Sequence, residues 1–426
     1  MVSNSRRTVL TGFGVLSPIG STPEAFWDAL VAGACGVRTV SLFDASELPC
    51  HIAGEVQGFV AKAMMAETKY RKELKSMART VELGVIGSQL AMQSAKLAKG
   101  TVPPNRIGIE FASLMGASDL NDMAAASKLS APDGETVDHG VWGAAGLNEI
   151  TPVWMLKYLP NMPACHATIL YDIQGPSNTQ IPGDTSGLVA LFEATRILRR
   201  GATDVMVVGG SEARINPITL SRHNLFVQLS KRNDDPTHAV RPFDATRDGT
   251  VLGEGAAVFT LEELEHARVR NATILGEVVG WASGVDRGKK GPGLARVIRN
   301  ALTTAGIRPG EVDHVNAHGT GTTAGDAFEA CGIAEVFGRG VPVFAPLSRF
   351  GNLGAASGLM ELACSVLALK HGLLPGTLNH EKPAADCPIN VHSGAPRPVT
   401  KPYAVKVTYT DLGQCAAVVV KRWSDA

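Results

Sequence analysis

The sequence has no net charge and no long uncharged apolar run, and each absence excludes a class of protein. Its 426 residues carry 40 basic and 40 acidic side chains. A nucleic-acid surface needs a basic excess to neutralise phosphates, so we expect no nucleic-acid partner. No uncharged apolar stretch reaches about 18 residues, which predicts that no segment spans a membrane.

Paired cysteines are also lacking. The seven cysteines are scattered along the chain and form no CxxC pair. Disulfide frameworks and zinc sites need paired or regularly spaced cysteines, so we expect reduced thiols and no metal. The opening residues, MVSNSRR, lack the apolar region and the cleavage site of a signal peptide. Together these features predict a cytoplasmic protein.

The chain is instead rich in glycine and in alternating strand and helix patterns. It has 46 glycines, and apolar residues make up 45 % of the sequence. Buried-strand patterns at 8–17 and 204–213 alternate with helical patterns at 79–98 and 188–201. Such alternation is typical of parallel strands joined by helical crossovers. The pattern restarts near residues 250–260, which predicts two successive α/β halves.

The glycines that end the first strand do not form a dinucleotide-binding loop. Gly12 and Gly14 have the spacing of the first two glycines of such a loop, but Ser17 stands where the third is needed. We therefore expect no nicotinamide cofactor, and no other cofactor is predicted.

The first candidate for chemistry is His318, in the segment NAHGTGTTAGD (316–326). The pattern places this histidine at the end of a strand, in a turn of Gly and Thr, with Asp326 and Glu329 on the next helix. A histidine in that position suits a general acid or base, or an oxyanion donor. The spacing is equally compatible with a histidine whose partners are purely structural, so both interpretations stay open.

Several blocks of sequence, in order, resemble the β-ketoacyl synthase (condensing enzyme) family, in particular the elongating synthases of fatty-acid and polyketide pathways. The likeness includes TGFGVLSPIG (11–20), PNMPACHATILYDIQGPSNT (160–179), RPFDATRDGTVLGEGAA (241–257) and NAHGTGTTAGD. The resemblance implies an α/β, thiolase-like fold, a five-layer αβαβα sandwich of two similar halves. We expect the halves to be residues 1–255 and 256–426, and the resemblance implies a dimer.

The expected active site departs from the pattern of that family. The resemblance implies a nucleophilic cysteine shortly after the GP of the middle block, and an ungapped count puts Asp184 there. The first family histidine is kept as His318, whereas Asn352 stands where the second is expected. Leu347 replaces a lysine, and Asp411 replaces a gating phenylalanine.

These departures predict altered chemistry. A thiolate attacks a thioester readily, whereas a carboxylate is a far poorer acyl acceptor. An ionised Asp184 would also repel a malonyl carboxylate about 5 Å away by roughly 3 kcal/mol at an effective dielectric of about 20. We therefore expect no ordinary Claisen condensation from this chain alone. The structural interpretation is that Asp184 caps the helix that follows it and pairs with His318.

Two hypotheses on function result. In the first, the chain is a non-condensing partner subunit similar to a chain-length factor, paired with a cysteine-bearing synthase. In the second, the chain is an enzyme that acts on acyl-carrier-protein thioesters by decarboxylation, hydrolysis, acyl transfer or proton abstraction. This second hypothesis is also compatible with a homodimer. The candidate catalytic residues of such an enzyme are Asp184, His318, Asn352 and Asp411.

Both hypotheses imply acyl carrier protein as a partner. The basic run KYRKELKSMART (69–80) suits an acidic carrier protein through complementary charge. A solvated basic surface accounts for the same run without a partner, so this alternative stays open.

Overall fold

The computed structural model describes residues 6–114 and 116–424. Residues 1–5, on which the expected absence of a signal peptide partly rests, lie outside the described residues. Within the described ranges the strands are β1 (Thr8–Leu16), β2 (Val37–Thr39), β3 (Ile52–Gly54), β4 (Ile107–Ala112), β5 (Ser177–Gln180), β6 (Val205–Ala213), β7 (Glu254–Glu263), β8 (Gly276–Val285), β9 (Val312–Asn316), β10 (Pro342–Phe344), β11 (Leu373–Leu374), β12 (Asn390–Val391), β13 (Arg397–Pro398), β14 (Tyr403–Tyr409) and β15 (Gln414–Lys421).

The α-helices of the same ranges are α1 (Pro23–Val31), α2 (Ala61–Met64), α3 (Arg79–Ser94), α4 (Leu120–Ser130), α5 (His139–Ala144), α6 (Met162–Tyr171), α7 (Ser186–Arg199), α8 (Pro217–Phe226), α9 (Leu264–Val269), α10 (Pro292–Ala305), α11 (Thr323–Phe337) and α12 (Ser357–His371). No helix in this described part of the chain is long and apolar enough to cross a membrane.

The large sheet has eleven strands among the described residues, in the order β12-β10-β9-β14-β15-β8-β1-β7-β6-β4-β5. From β1 outward, β7 and β6 pair antiparallel, and β4 and β5 continue parallel. From β8 outward in the other direction, β15 and β14 pair antiparallel, and β9 and β10 continue parallel. The two sides therefore repeat one topology, and β1 joins them by pairing with β8.

Helices cover this sheet in matching positions. On the outer faces, α3 packs on β1, β6 and β7, while α10 packs on β8 and β15. Between the two sides, α7 and α12 contact each other and strands of both halves. Each side of the sheet forms one layer, so the order of layers through the molecule is helix, sheet, helix, sheet, helix. The predicted boundary at 255/256 falls inside β7, so a division that leaves each strand whole lies between Glu263 and Gly276; the division into halves stays a prediction.

The starts of α7 and α12 meet at the centre of the molecule. Each helix follows a 3₁₀ turn that opens with a glycine of positive φ, Gly183 (64°) before α7 and Gly354 (57°) before α12. These two turns contact each other. The close approach requires a glycine at 187, because a Cβ there would lie 2.9 Å from Leu359 Cγ. The symmetry of the fold thus brings two helix N-termini to one place.

The polar segment 116–150 contains α4 and α5. Asp119 and Asp138 precede these helices, and their carboxylates accept hydrogen bonds from the backbone N–H groups of Asn121 and Gly140. Side-chain capping of this kind lets short polar helices form where apolar periodicity is weak.

Candidate active site

Asp184 lies in the 3₁₀ turn Gly183–Thr185, directly before α7. Its carboxylate does not cap that helix: the cap position is Thr185, which makes no side-chain cap hydrogen bond. The local hydrogen bonds come instead from two hydroxyls, with Thr185 Oγ1 donating to Pro182 O and Ser186 Oγ donating to Gly183 O. The capping part of the structural interpretation is therefore wrong, because the turn leaves the Asp184 carboxylate free for side-chain partners.

Three side chains surround the Asp184 carboxylate. Its Oδ2 lies 3.3 Å from His318 Nε2 and accepts a hydrogen bond of 2.9 Å from Asn352 Nδ2. Its Oδ1 lies 3.4 Å from an Nη of Arg214. The expected pairing with His318 is present, and the side chain of Asp184 is 19 % exposed.

Asn352 is fixed on both its backbone and its amide. Its N–H and C=O bond to the backbone of Val251 and Gly253, within the block RPFDATRDGTVLGEGAA. Its Oδ1 accepts hydrogen bonds from Arg214 Nη1 (3.0 Å) and from the backbone N–H of Gly354 (2.7 Å). An amide oxygen that receives these donors leaves the Nδ2 amide to point at Asp184.

Arg214 follows the end of β6 and connects these groups to a second carboxylate. Its Nε donates to Glu212 Oε1 at 2.9 Å, and Glu212 Oε2 accepts from the backbone N–H of Ala355 at 2.7 Å. Arg214 is 8 % exposed. A buried guanidinium between two carboxylates is held by charge as well as by geometry.

His318 is fully buried between two carboxylates. Its Nδ1 lies 3.0 Å from Glu361 Oε1, on α12, and its Nε2 faces Asp184. Glu361 also pairs with the amino group of Lys406, which is itself fully buried on β14. These side chains form a buried row of alternating charge. Its three cations, Arg214, His318 and Lys406, match its three carboxylates, Glu212, Asp184 and Glu361.

This row determines the protonation of its central pair. Burial alone would lower the pKa of His318, but Glu361 and Asp184 outweigh it and raise that pKa to about 10. Burial alone would raise the pKa of Asp184, but Arg214, His318 and Asn352 hold it well below its usual range. Near neutral pH the pair is therefore an imidazolium and a carboxylate, and both ring nitrogens of His318 are donors with an acceptor in place.

The acidic residues Asp326 and Glu329 shape the turn that carries His318. Glu329 accepts hydrogen bonds from the backbone N–H groups of His318 (2.7 Å) and Gly319 (2.8 Å). Asp326 accepts from the backbone N–H groups of Phe243 and Gly321. Burial raises the pKa of Asp326 to about 7 and raises the pKa of Glu329. Both residues hold the histidine turn in place and do not face Asp184.

Hydrogen bonds join three of the four candidate residues, Asp184, His318 and Asn352. The fourth, Asp411, is near enough to act by charge: burial would lower the pKa of Arg214, but Glu212, Asp184 and Asp411 raise it. Asp411 is exposed in the turn between β14 and β15, and its backbone oxygen accepts a hydrogen bond of 3.2 Å from Lys289 Nζ. Thr410, its neighbour, borders the site, because a Cβ on Gly183 would lie 3.1 Å from Thr410 Cγ2. Leu347, which stands where the family pattern has a lysine, is fully buried in an apolar cluster.

Sequence reasoning missed three residues of the site: Arg214, Glu361 and Lys406. Lys406 carried a signal, since a lone lysine inside the apolar strand pattern YAVKVTY needs a buried counter-charge. Arg214 directly follows the strand pattern that ends in GGSEA, at a strand end where functional groups collect. Glu361 lies in an apolar helix, where an acid that is not paired would be costly. Glu212 is two positions from Arg214, but the other partners of Arg214, Asp184 and Asn352, are 30 and 138 positions away. Sequence spacing cannot predict contacts over such separations.

Comparisons with known proteins agree with this fold. The chain matches the family models for the β-ketoacyl synthase N-terminal domain over residues 5–267 and C-terminal domain over residues 275–381. It is 33 % identical over 397 residues to 3-oxoacyl-(acyl-carrier-protein) synthase 2 of Coxiella burnetii, covering 90 % of this chain and 91 % of that protein. It is 35 % identical over 394 residues to the tetracenomycin polyketide synthase ketoacyl synthase alpha subunit of Streptomyces glaucescens, covering 90 % of each.

Solved structures give the same result. A β-ketoacyl synthase from Burkholderia phymatum superimposes with a TM-score of 0.87 at 28 % identity, covering 98 % of this chain and all of that one. The ishigamide ketosynthase/chain length factor superimposes with a TM-score of 0.87 at 27 % identity, covering 99 % of this chain and all of that one. A type II polyketide acyl-carrier protein in complex with its ketosynthase gives a TM-score of 0.83 at 25 % identity, again covering 99 % of this chain and all of that one.

The fold and the histidine turn thus define a thiolase-like α/β protein of the ketosynthase type, which confirms the expected fold class. The chain belongs to the β-ketoacyl synthase family, the ketosynthases of fatty-acid and polyketide biosynthesis.

Proposed function

We propose that this chain is a non-condensing partner subunit of a fatty-acid or polyketide ketosynthase, similar in role to a chain-length factor. In this proposal Asp184 occupies the position of the family's catalytic cysteine. The observation that carries the proposal is the saturation of the site. The Asp184 carboxylate already binds His318, Asn352 and Arg214, and His318 already binds a carboxylate through each ring nitrogen.

A saturated site of this kind lacks the groups that condensation needs. Asp184 as a carboxylate is a poor acyl acceptor, and an acylated Asp184 would be a mixed anhydride that breaks its ion pairs. His318 as an imidazolium has no lone pair to accept a proton, and neither N–H is free to bind a developing oxyanion. Disrupting the pair would also leave buried charges without partners.

Carrier-protein binding is supported by the basic run 69–80. Much of it forms the 3₁₀ segment Thr68–Ser76, whose lysines Lys69, Lys72 and Lys75 are exposed. An open cavity of about 560 Å³ lies beside them, lined also by Lys62 and by Val60, which is 56 % exposed. A basic rim around an apolar contact suits the acidic surface and thioester arm of a carrier protein.

The partner proposal draws on the relatives in one respect. The ishigamide structure is described as a ketosynthase/chain length factor. We propose that this chain pairs in the same manner with a cysteine-bearing ketosynthase, which would supply the nucleophile that this chain lacks.

Intact mass spectrometry of acyl- and malonyl-loaded carrier protein tests the proposal. The purified chain is incubated with each loaded carrier protein, beside Asp184→Asn, His318→Ala and a cysteine-bearing ketosynthase as positive control. We expect no loss of carbon dioxide, no thioester cleavage and no acyl transfer with the chain alone. Addition of its cysteine-bearing partner is expected to give condensation whose product length depends on this chain.

The alternative is an enzyme that acts on carrier-protein thioesters by non-cysteine chemistry. The partial exposure of Asp184 and its contact with Asn352 favour it, since both could reach a bound thioester. Turnover of a loaded carrier protein by the chain alone, abolished in both Asp184→Asn and His318→Ala, would establish this enzyme and refute the partner role.

A further inference from the structure

A second polar cavity lies outside the site described above, between the end of α1 and the loops that follow α12. Its volume is about 440 Å³. Gly376 and Thr377 form a buried floor with Arg349, and His380 is half-buried in the wall. Ser393 and Glu381 lie at the exposed rim, where the Glu381 carboxylate pairs with Arg241 at 3.1 Å. The cavity is therefore open to solvent and has one strongly basic group at its base.

Arg349 is the unusual member of this cavity. The residue is 1 % exposed. One Nη donates to Gly376 O at 2.6 Å, the other lies 3.5 Å from Ala34 O, and the buried Nε has no hydrogen-bond partner. Among the described residues no carboxylate lies within ion-pair distance of this guanidinium. A buried cation without an anion carries a desolvation penalty that its two carbonyl contacts do not offset.

The other buried arginines of the described chain show what is missing. Arg214, Arg241 and Arg247 are 6 to 8 % exposed, and each pairs with at least one carboxylate. The fold therefore supplies an anion to each buried guanidinium except the one that lines an open cavity. Arg349 lines that cavity although it is almost fully buried, so an anion from outside the chain would reach it only through the cavity. Its lack of an internal carboxylate points to such an anion.

We propose that this cavity binds a small oxyanion of the phosphate class, with Arg349 as the charged group that holds it. A guanidinium matches the geometry of phosphate oxygens, and charge-assisted hydrogen bonds to it are the strong kind. The Ser393 hydroxyl and the His380 ring supply further polar groups at the rim and wall. Burial lowers the pKa of Arg349 to about 10, which leaves the side chain cationic at neutral pH.

The position of Arg349 links this anion site to the loop that carries Asn352. Arg349 ends the 3₁₀ turn Pro346–Arg349, three positions before Asn352, and its backbone oxygen accepts a 2.7 Å hydrogen bond from Gly36 N–H. An anion bound to the guanidinium would stabilise this loop and, with it, the folded chain in proportion to ligand concentration. The inference does not rest on the proposed function, since it concerns a separate cavity.

Calorimetric titration of inorganic phosphate into the full chain, at constant ionic strength with chloride as reference, tests the proposal. We expect saturable binding of one phosphate, weakened about tenfold or more in Arg349→Met, since a charged hydrogen-bond partner is lost. Arg296→Met, which alters an exposed arginine on α10, is the matched control and should bind as the unaltered chain does. Absence of saturable binding, or equal binding by Arg349→Met, overturns the proposal.

A second measurement keeps the test decisive if Arg349→Met does not fold. Crystals of the unaltered chain are soaked in tungstate, a heavy tetrahedral oxyanion, and the anomalous signal is located. A peak within hydrogen-bond distance of the Arg349 guanidinium supports the site. An empty cavity in soaked crystals refutes it, whatever the behaviour of the variant.

Discussion

Asp184 and His318 fix each other's charge, and this pair determines what the site can do. A histidine between two carboxylates stays protonated far above its usual range, so it cannot serve as a base near neutral pH. A carboxylate between a guanidinium and an imidazolium stays ionised far below its usual range. The two residues thus form an ion pair and not a general acid–base couple.

Removal of the Asp184 charge is expected to lower the pKa of His318. In the unaltered chain NMR of the labelled imidazole should show protonation persisting until the pH nears 10, whereas Asp184→Asn should titrate earlier. The pKa of His318 in the folded chain exceeds its unfolded value of about 6.5. The contribution of the ion pair to the free energy of unfolding is therefore complete below a pH of about 6.5 and is lost as the pH rises towards 10. Ser186→Ala, beside the site, should leave the titration unchanged. A His318 titration near pH 6.5 in the unaltered chain would contradict the ion pair.

Lys406 should be essential for the stability of the buried row. Lys406→Met removes the cation that faces Glu361 and leaves that carboxylate fully buried beside His318 alone. Breaking a buried pair on one side costs about 3–5 kcal/mol. Urea unfolding should show that loss, whereas Lys370→Met, on the exposed side of α12, should change the free energy of unfolding little. Equal stability of the two variants would mean that Glu361 needs no second cation.

The approach of α7 to α12 explains why the site exists at this place. Both helices start after equivalent turns, and the contact at Gly187 holds their N-termini together. Gly187→Ala should place a methyl group 2.9 Å from Leu359 Cγ and destabilise the fold by roughly 1–3 kcal/mol in thermal or chemical unfolding. Gly143→Ala is the matched control, because a Cβ on that helical glycine meets nothing within 4 Å and should be neutral or stabilising. A stabilising Gly187→Ala would show that the helices can separate.

Sequence patterns predicted the elements better than their ends and their partners. The helix expected over 79–98 ends at Ser94, since Lys96 adopts a left-handed conformation that stops it. The meeting of Asp184, His318 and Asn352 followed from family motifs, because those motifs fix register along the fold. Arg214 and Lys406 could not be placed in that way. Arg214 directly follows β6 and Lys406 lies on β14, and only tertiary packing brings them to Asp184 and Glu361.

In the proposed complex with carrier protein, the charge of the surface should govern the encounter. Lys72→Glu with Lys75→Glu reverses two charges of the exposed basic segment, so the affinity for carrier protein should fall and depend less on salt. Surface plasmon resonance at two salt concentrations measures both effects. A double change at Lys99 and Lys370, exposed elsewhere, controls for net charge. Unchanged affinity in the first variant would leave the basic run as a solvated surface.

At the scale of the whole molecule, β5 is an edge of the large sheet and offers a place for association. Ile109 and Ser113 of the β4 side donate to Pro176 O and Gln180 O, so alternate residues of β5 face β4 and Thr179 faces outward. The Thr179 N–H donates a 2.9 Å hydrogen bond to Asn178 Oδ1, which an associating strand would have to displace. Thr179→Pro removes this N–H without breaking a bond to β4. If the proposed dimer, with a second copy or with a cysteine-bearing partner, forms through this edge, Thr179→Pro should weaken it in native mass spectrometry. Thr179→Val keeps the N–H and should assemble as the unaltered chain does. Assembly of both variants to the same extent would place the interface elsewhere on the surface.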